Sequence, residues 1–133
     1  MPDDILNFEL TGMQDLEDKL KKLGQAAIPA AAGSLYRSAE KVMASSKQNY
    51  VPYDTGALMN SGHVEPPSQE GNNVLVVLGY GGPSAPYAIY VHEIDKHYHH
   101  NRQWKYLSTP LEAALPDIDT ALSDDLDAAF QKL

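Results

Sequence analysis

The chain has 133 residues and no cysteine, a length that suits one domain able to bury a core without covalent staples. The missing thiols exclude disulfide frameworks, thiolate zinc sites, iron–sulfur clusters and cysteine nucleophiles. With 18 acids against 10 bases, the net charge is −8, so the chain lacks the basic footprint that holds DNA by counterion release.

Residues 1–10 read as an extended lead-in. Leu6, Phe8 and Leu10 alternate as in an edge strand. The acidic start, Met1-Pro2-Asp3-Asp4, does not resemble a secretion signal, and no apolar run reaches the ~18 residues of a membrane span. The expected setting is the cytosol or a soluble assembly, with no membrane.

Thr11-Gly12-Met13-Gln14 has the capping-box form. Met13, Leu16, Leu20 and Leu23 follow at helical spacing, with acids early and lysines late, as the macrodipole favours. This predicts a helix over 13–23 that stops at Gly24. A second helix is expected to begin near Pro29 as its first residue and to end before Pro52, with Tyr50 and Val51 just beyond it. Its face steps through Ala32, Leu35, Ala39, Val42 and Ser46, and its many small residues permit close approach of another element or simply favour helix.

Val51 to Leu58 reads as a turn in which Asp54 accepts backbone donors and Gly56 takes a positive φ. A strand is expected within 60–65 and a loop or hairpin turn over 66–73. Val74–Leu78 is the strongest strand; being apolar on both faces, it should be central in a sheet or covered twice. Residues 79–86 read as a loop, and Tyr87–His92 as a strand or a strand running into a turn. A polar excursion follows, with a His-rich loop at 95–103. Thr109 and Pro110 then read as the cap and first residue of a final helix whose Pro116 should kink or divide it. Leu111, Leu115, Ile118, Leu122, Leu126 and Phe130 hold its apolar face, and residues 108–133 carry six acids and one lysine.

Little in the chain points to catalysis. His92, Glu93, His97, His99 and His100 fall within one short stretch and could bind zinc or nickel; the alternative is a wet loop whose histidines pair with carboxylates or carbonyls. No Gly-x-Ser-x-Gly elbow occurs, and the glycines at 79, 81 and 82 match neither the P-loop nor the dinucleotide pattern. Trp104 and Tyr106 with Arg102 and Lys105 make only a small aromatic–basic patch. No enzyme activity, cofactor or resident metal is expected. The 8 tyrosines, against 2 Phe and 1 Trp, suit subunit interfaces and half-wet cores alike.

Three segments together resemble one family. Val51-Pro52-Tyr53-Asp54-Thr55-Gly56-Ala57-Leu58-Met59-Asn60-Ser61, then Pro86-Tyr87-Ala88-Ile89-Tyr90-Val91-His92-Glu93, then Lys105-Tyr106-Leu107-Ser108-Thr109-Pro110-Leu111 are similar, in order and spacing, to signatures of the head–tail connector proteins of tailed bacteriophages. That family is also labelled neck, tail-completion or minor capsid protein. The match spans about residues 35–115. It does not extend to the His-rich insert or the long acidic C-terminal segment.

The resemblance implies an α+β fold, a small antiparallel sheet packed by a long N-terminal helix and a C-terminal helix, in a single domain. It implies a structural virion protein at the head–tail junction, assembled in the host cytoplasm. Its copies would form a homo-oligomeric ring of six or twelve, joining portal or adaptor proteins to tail proteins while DNA passes without specific binding. A tail terminator ring at the top of the tail tube shares that architecture; a small His-rich metal-binding module is the alternative of another class. The structural turn motif is then Pro52, Asp54, Thr55, Gly56, Leu58 and Ser61. The expected subunit or partner contacts are Tyr80, Tyr87, Tyr90, His92, Glu93, Trp104, Lys105 and Tyr106.

Overall fold

A computed structural model describes residues 27–52, 56–71, 73–94 and 102–132, and residues 5–11 as backbone. The helix expected over 13–23, the turn residues Asp54 and Thr55, and His97, His99 and His100 lie outside the described residues. The architecture is α+β: strand β1 (Ile5–Thr11), helix α1 (Ala27–Ser45), a short helix α2 (Ala57–Asn60), strands β2 (His63–Val64), β3 (Ser68–Glu70) and β4 (Asn73–Gly81), a short helix α3 (Ala88–Glu93), and helix α4 (Ser108–Gln131).

β4 is the centre of an antiparallel sheet. β1 lies along one edge, from Ile5 opposite Gly81 to Thr11 opposite Leu75. β2 and β3 follow each other along the other edge, and the register slips by one residue between His63↔Gly79 and Ser68↔Leu75. Pro66 and Pro67 occupy the slip, where residues without an N–H cannot continue a ladder. The central position of β4 is as expected, but its two faces differ. Val74, Val76, Leu78 and Tyr80 are fully buried, whereas Leu75 and Val77 are half-buried. The strand also runs on through Gly79–Gly81, which the sequence placed in a loop.

α1 covers the buried face of β4 and packs along α4. Its inner stripe is Ala27, Ala31, Leu35, Ala39, Val42 and Met43, and the alanines at the contact allow close approach. The helix already includes Ala27 and Ile28, so Pro29 is not its first residue. It ends in a π-helical turn, Ser46–Tyr50, closed by the Val51 amide on the Ser46 carbonyl at 2.8 Å. Tyr50 therefore belongs to the turn rather than following it. Pro52 drives the change, since the residue before a proline avoids the α region; Val51 is extended, with ψ at 132°.

α4 is one continuous helix through Pro116 and not two pieces. Pro116 is exposed, and its missing N–H removes a single bond on the solvent side. Leu111 before it and Ile118, Leu122 and Leu126 after it are buried; each contributes roughly 1.5–3 kcal/mol, enough together to keep both halves in line. Leu115, expected on that face, is 42% exposed. At the rim, Arg37 Nη2 pairs with Asp125 Oδ2 at 3.0 Å. The Ser34 hydroxyl first, and the Arg37 guanidinium after it, hold the Asp125 carboxyl below its ordinary range. Arg37 is largely exposed and Asp125 partly so, and a pair open to water in this way adds little stability.

Gly56 opens α2 with φ at 88°, and its carbonyl accepts the Asn60 amide at 2.9 Å. An L-residue in this left-handed region costs about 1–2 kcal/mol. Gly56→Ala is therefore expected to lower the urea midpoint by that amount without changing the slope; an unchanged midpoint would mean the turn relaxes freely.

Candidate functional site

The second and third of the segments that carry the resemblance meet at one joint, and the first is tied to its floor by the Val51 amide on the Ser46 carbonyl. That floor is the π-turn of α1. Ser46 is fully buried; its hydroxyl donates to the Tyr106 carbonyl and accepts the Tyr80 hydroxyl at 2.7 Å. The Tyr106 hydroxyl donates to the Ala88 carbonyl at 2.7 Å. The Tyr80 and Tyr106 rings lie 4.9 Å apart at 49°, and the His92 ring lies 5.0 Å from Tyr106. Burial pushes the Tyr80 phenol up to about 12 against the opposing effect of Ser46. Each of the three hydroxyls in this network, of Ser46, Tyr80 and Tyr106, has a partner, which is what keeps such a network stabilising.

His92 completes the joint from α3. Nε2 accepts the Ser108 amide at 3.2 Å, and Nδ1 donates to Glu93 Oε1 at 2.8 Å. The two bonds together select the neutral Nδ1–H tautomer. Ser108 is the first residue of α4, whose leading amides lack partners within the helix. The histidine ring thus caps α4 from another element. The expected Thr109 cap is not formed; the Thr109 hydroxyl instead accepts Gln103 Nε2 at 3.3 Å. The His92 carbonyl accepts the Lys105 amide at 2.8 Å, with Lys105 itself at φ 51°.

Burial, the largest influence, lowers the His92 pKa; Glu93 works against that and Lys105 adds to it. The unfolded chain, with histidine near 6.5, then binds the proton more readily than the folded one. Stability from this group is full above 6.5 and is lost as pH falls through 6.5 to the lower folded value. Urea unfolding between pH 8 and 5 is expected to show a slope in stability that flattens in His92→Gln. Parallel profiles for the two proteins would mean that His92 does not titrate between the two states.

The turn motif is also assembled from within. Ser61 Oγ donates to the Leu58 carbonyl at 2.6 Å and accepts the Gly81 amide at 2.9 Å, tying α2 to the end of β4. Leu58 is buried and Pro52 half-buried.

Comparison of the chain with protein-family models, with curated proteins and with solved structures finds no match.

The expected contact residues divide into two groups. Tyr80, Tyr106 and His92 are interior, at 0%, 0% and 1% exposure, so they hold the fold and are not available as surface contacts. The reason is local. The segment expected as a strand, or a strand running into a turn, is instead helix α3 (Ala88–Glu93), with Tyr87 just before it. Ile89 and Val91 give the segment strand character, but Ala88 and His92, four residues apart, fit the interior as neighbours on one side of a helix. The opposite side carries Tyr87 at 41% and Tyr90 at 63% exposure, with exposed Ile94 and Glu93 beside them. Trp104 and Lys105 are half-buried, with the Lys105 ammonium 5.0 Å from the indole centroid.

A second surface feature escaped sequence reasoning. A groove of about 270 Å³ runs between α1 and α4, lined among others by Val42, Tyr50, Pro110, Ala114 and Ile118, with Lys41 and Asp117 at its edges. Small residues on two separate helices form it, a pairing that helical periodicity does not reveal. Among the described residues no three His, Asp or Glu side chains are placed to hold a metal ion, and no helix is long and apolar enough to cross a membrane.

Proposed function

We propose that this chain is a structural protein of a tailed-phage virion, forming a ring at the head–tail junction and acting through assembly rather than turnover. The observation that carries the reading is the two-sided helix α3 in the second of the three resembling segments. Its inner residues, Ala88 and His92, are held in the joint; Tyr90 on its outer side and Tyr87 just before it are large and exposed. A short helix built this way offers aromatic area to a neighbour at little cost in ordering.

Charge supports the same reading. Glu112, Asp117, Asp119, Asp124 and Asp127 are all exposed on α4. Such a face repels phosphate over about 8–10 Å, which suits a wall past which DNA slides. Portal or adaptor proteins on one side and tail proteins on the other are the partners this role requires.

The test is a phage carrying a nonsense codon in this gene. Filled heads and separate, complete tails should accumulate in the non-suppressing host, and supplying the protein should join them. Normal infectious virions without the protein would overturn the proposal.

A further inference from the structure

We infer that His92 is an acid-operated latch: neutral, it clamps α3 to the leading turn of α4, and on taking a proton at Nε2 it releases the two elements while α1, β4 and the body of α4 stay packed. The latch is a property of the fold and does not rest on the ring reading above.

The geometry suits only the neutral ring. Nε2 accepts the Ser108 amide at 3.2 Å. A protonated imidazole carries N–H on both nitrogens, so two donors would face each other across that distance. The charge would also sit, buried, at the positive end of α4, which has no acid in its first turn to offset it. Among the described residues, Glu93 on α3 favours the charged ring, and Lys105, in the segment before α4, opposes it. Glu93 is half exposed, so water weakens its pull. The aromatic neighbours bring no charge. Tyr106 lies against the ring with its hydroxyl on the Ala88 carbonyl, and burial pushes the phenol of Tyr80, on β4, up to about 12. The π-turn contributes only the uncharged Ser46.

The bonds that tie α3 to residues 105–108 are few and lie close together. They include the Ser108 amide on the His92 ring, the Lys105 amide on the His92 carbonyl at 2.8 Å, and the Tyr106 hydroxyl on the Ala88 carbonyl at 2.7 Å. His92 supplies the acceptor in two of these. Lys105 is held at φ 51°, a left-handed conformation that lysine rarely adopts, so release also relaxes strained backbone. The body of α4 is anchored separately, through buried Leu111, Ile118, Leu122 and Leu126 and its packing along α1. Burial first of all keeps the pKa of the latched ring below 6.5, and release returns it towards that value. The released state therefore binds the proton more readily, and falling pH shifts the balance towards it through that window. Tyr90 on α3 and Tyr87 just before it are exposed, so a contact made through them is coupled to the state of the latch.

Amide hydrogen exchange of the full chain reads the latch. The Ser108 and Lys105 amides should exchange through an opening that the Leu122 amide does not share. As pH falls below 6.5, the population of that opening should grow by up to about tenfold per unit. His92→Gln keeps an acceptor and cannot titrate, so this growth should vanish in it. The single tryptophan, Trp104, adjoins Lys105; its fluorescence should follow the same titration while far-UV circular dichroism stays constant. Ser108 and Lys105 amides that open only together with Leu122 at every pH overturn the latch, and that comparison needs no variant. An acid response left intact in His92→Gln overturns it as well, as does a Trp104 signal that changes only when helix is lost.

Discussion

Tyr106→Ala is expected to destabilise the fold by about 3–5 kcal/mol, the usual range for truncating a buried aromatic ring. The side chain is fully buried, its ring packs against both Tyr80 and His92, and its hydroxyl satisfies the Ala88 carbonyl. Removing the ring opens a cavity at the point where α3, β4, the π-turn and the start of α4 converge. With domain stabilities of about 5–15 kcal/mol, the variant should have little folded population to spare. Tyr106→Phe isolates the polar part. It keeps the ring and loses only the bond to the Ala88 carbonyl, at a cost of about 0.5–1.5 kcal/mol. Equilibrium urea unfolding of both variants checks the order, and a Tyr106→Ala protein as stable as Tyr106→Phe would show that the ring is not the keystone of the joint.

Gly62→Ala is expected to cost about 1–3 kcal/mol through overpacking. A Cβ at this position would sit 2.7 Å from Tyr80 Cε1, 2.7 Å from Lys47 Cε and 2.8 Å from Met43 Sδ. The lysine and methionine contacts are the far ends of flexible chains and can swing aside. The Tyr80 ring cannot do so freely, since Ser46 holds its hydroxyl and Tyr106 lies against its face. Methyl insertion should therefore displace the ring and strain the Tyr80–Ser46 bond. A double-mutant cycle reads this directly: Gly62→Ala should cost much less in a Tyr80→Leu background, where no rigid ring opposes it. Additive losses in the two backgrounds would mean that Tyr80 is not what the methyl strikes.

These residues show where sequence reading succeeds and where it stops. Val74–Leu78 declares itself a strand because five consecutive apolar, mostly β-branched residues suit little else, and the long apolar face of α4 is visible because the helical period repeats along it. The positive φ at Gly56 follows from local turn chemistry. Such features depend on residues close in the chain, so pattern and propensity suffice for them. They were enough to yield the order of most elements, while the α+β class was implied by the resemblance.

Features that depend on distant partners could not be read in the same way. Tyr87–His92 has strand propensity, yet Ala88–Glu93 is helical because Ala88 and His92 must enter the same interior together. Thr109-Pro110 has the form of a helix cap, yet His92 supplies the acceptor for α4, and the helix accordingly starts at Ser108. Tyr80 and Tyr106 are chemically indistinguishable from Tyr87 and Tyr90; only the packing of α1 and β4 turns the first pair inward and leaves the second pair facing water. Burial and capping are decided by groups far apart in sequence, and composition or periodicity along one stretch carries no record of which groups those are.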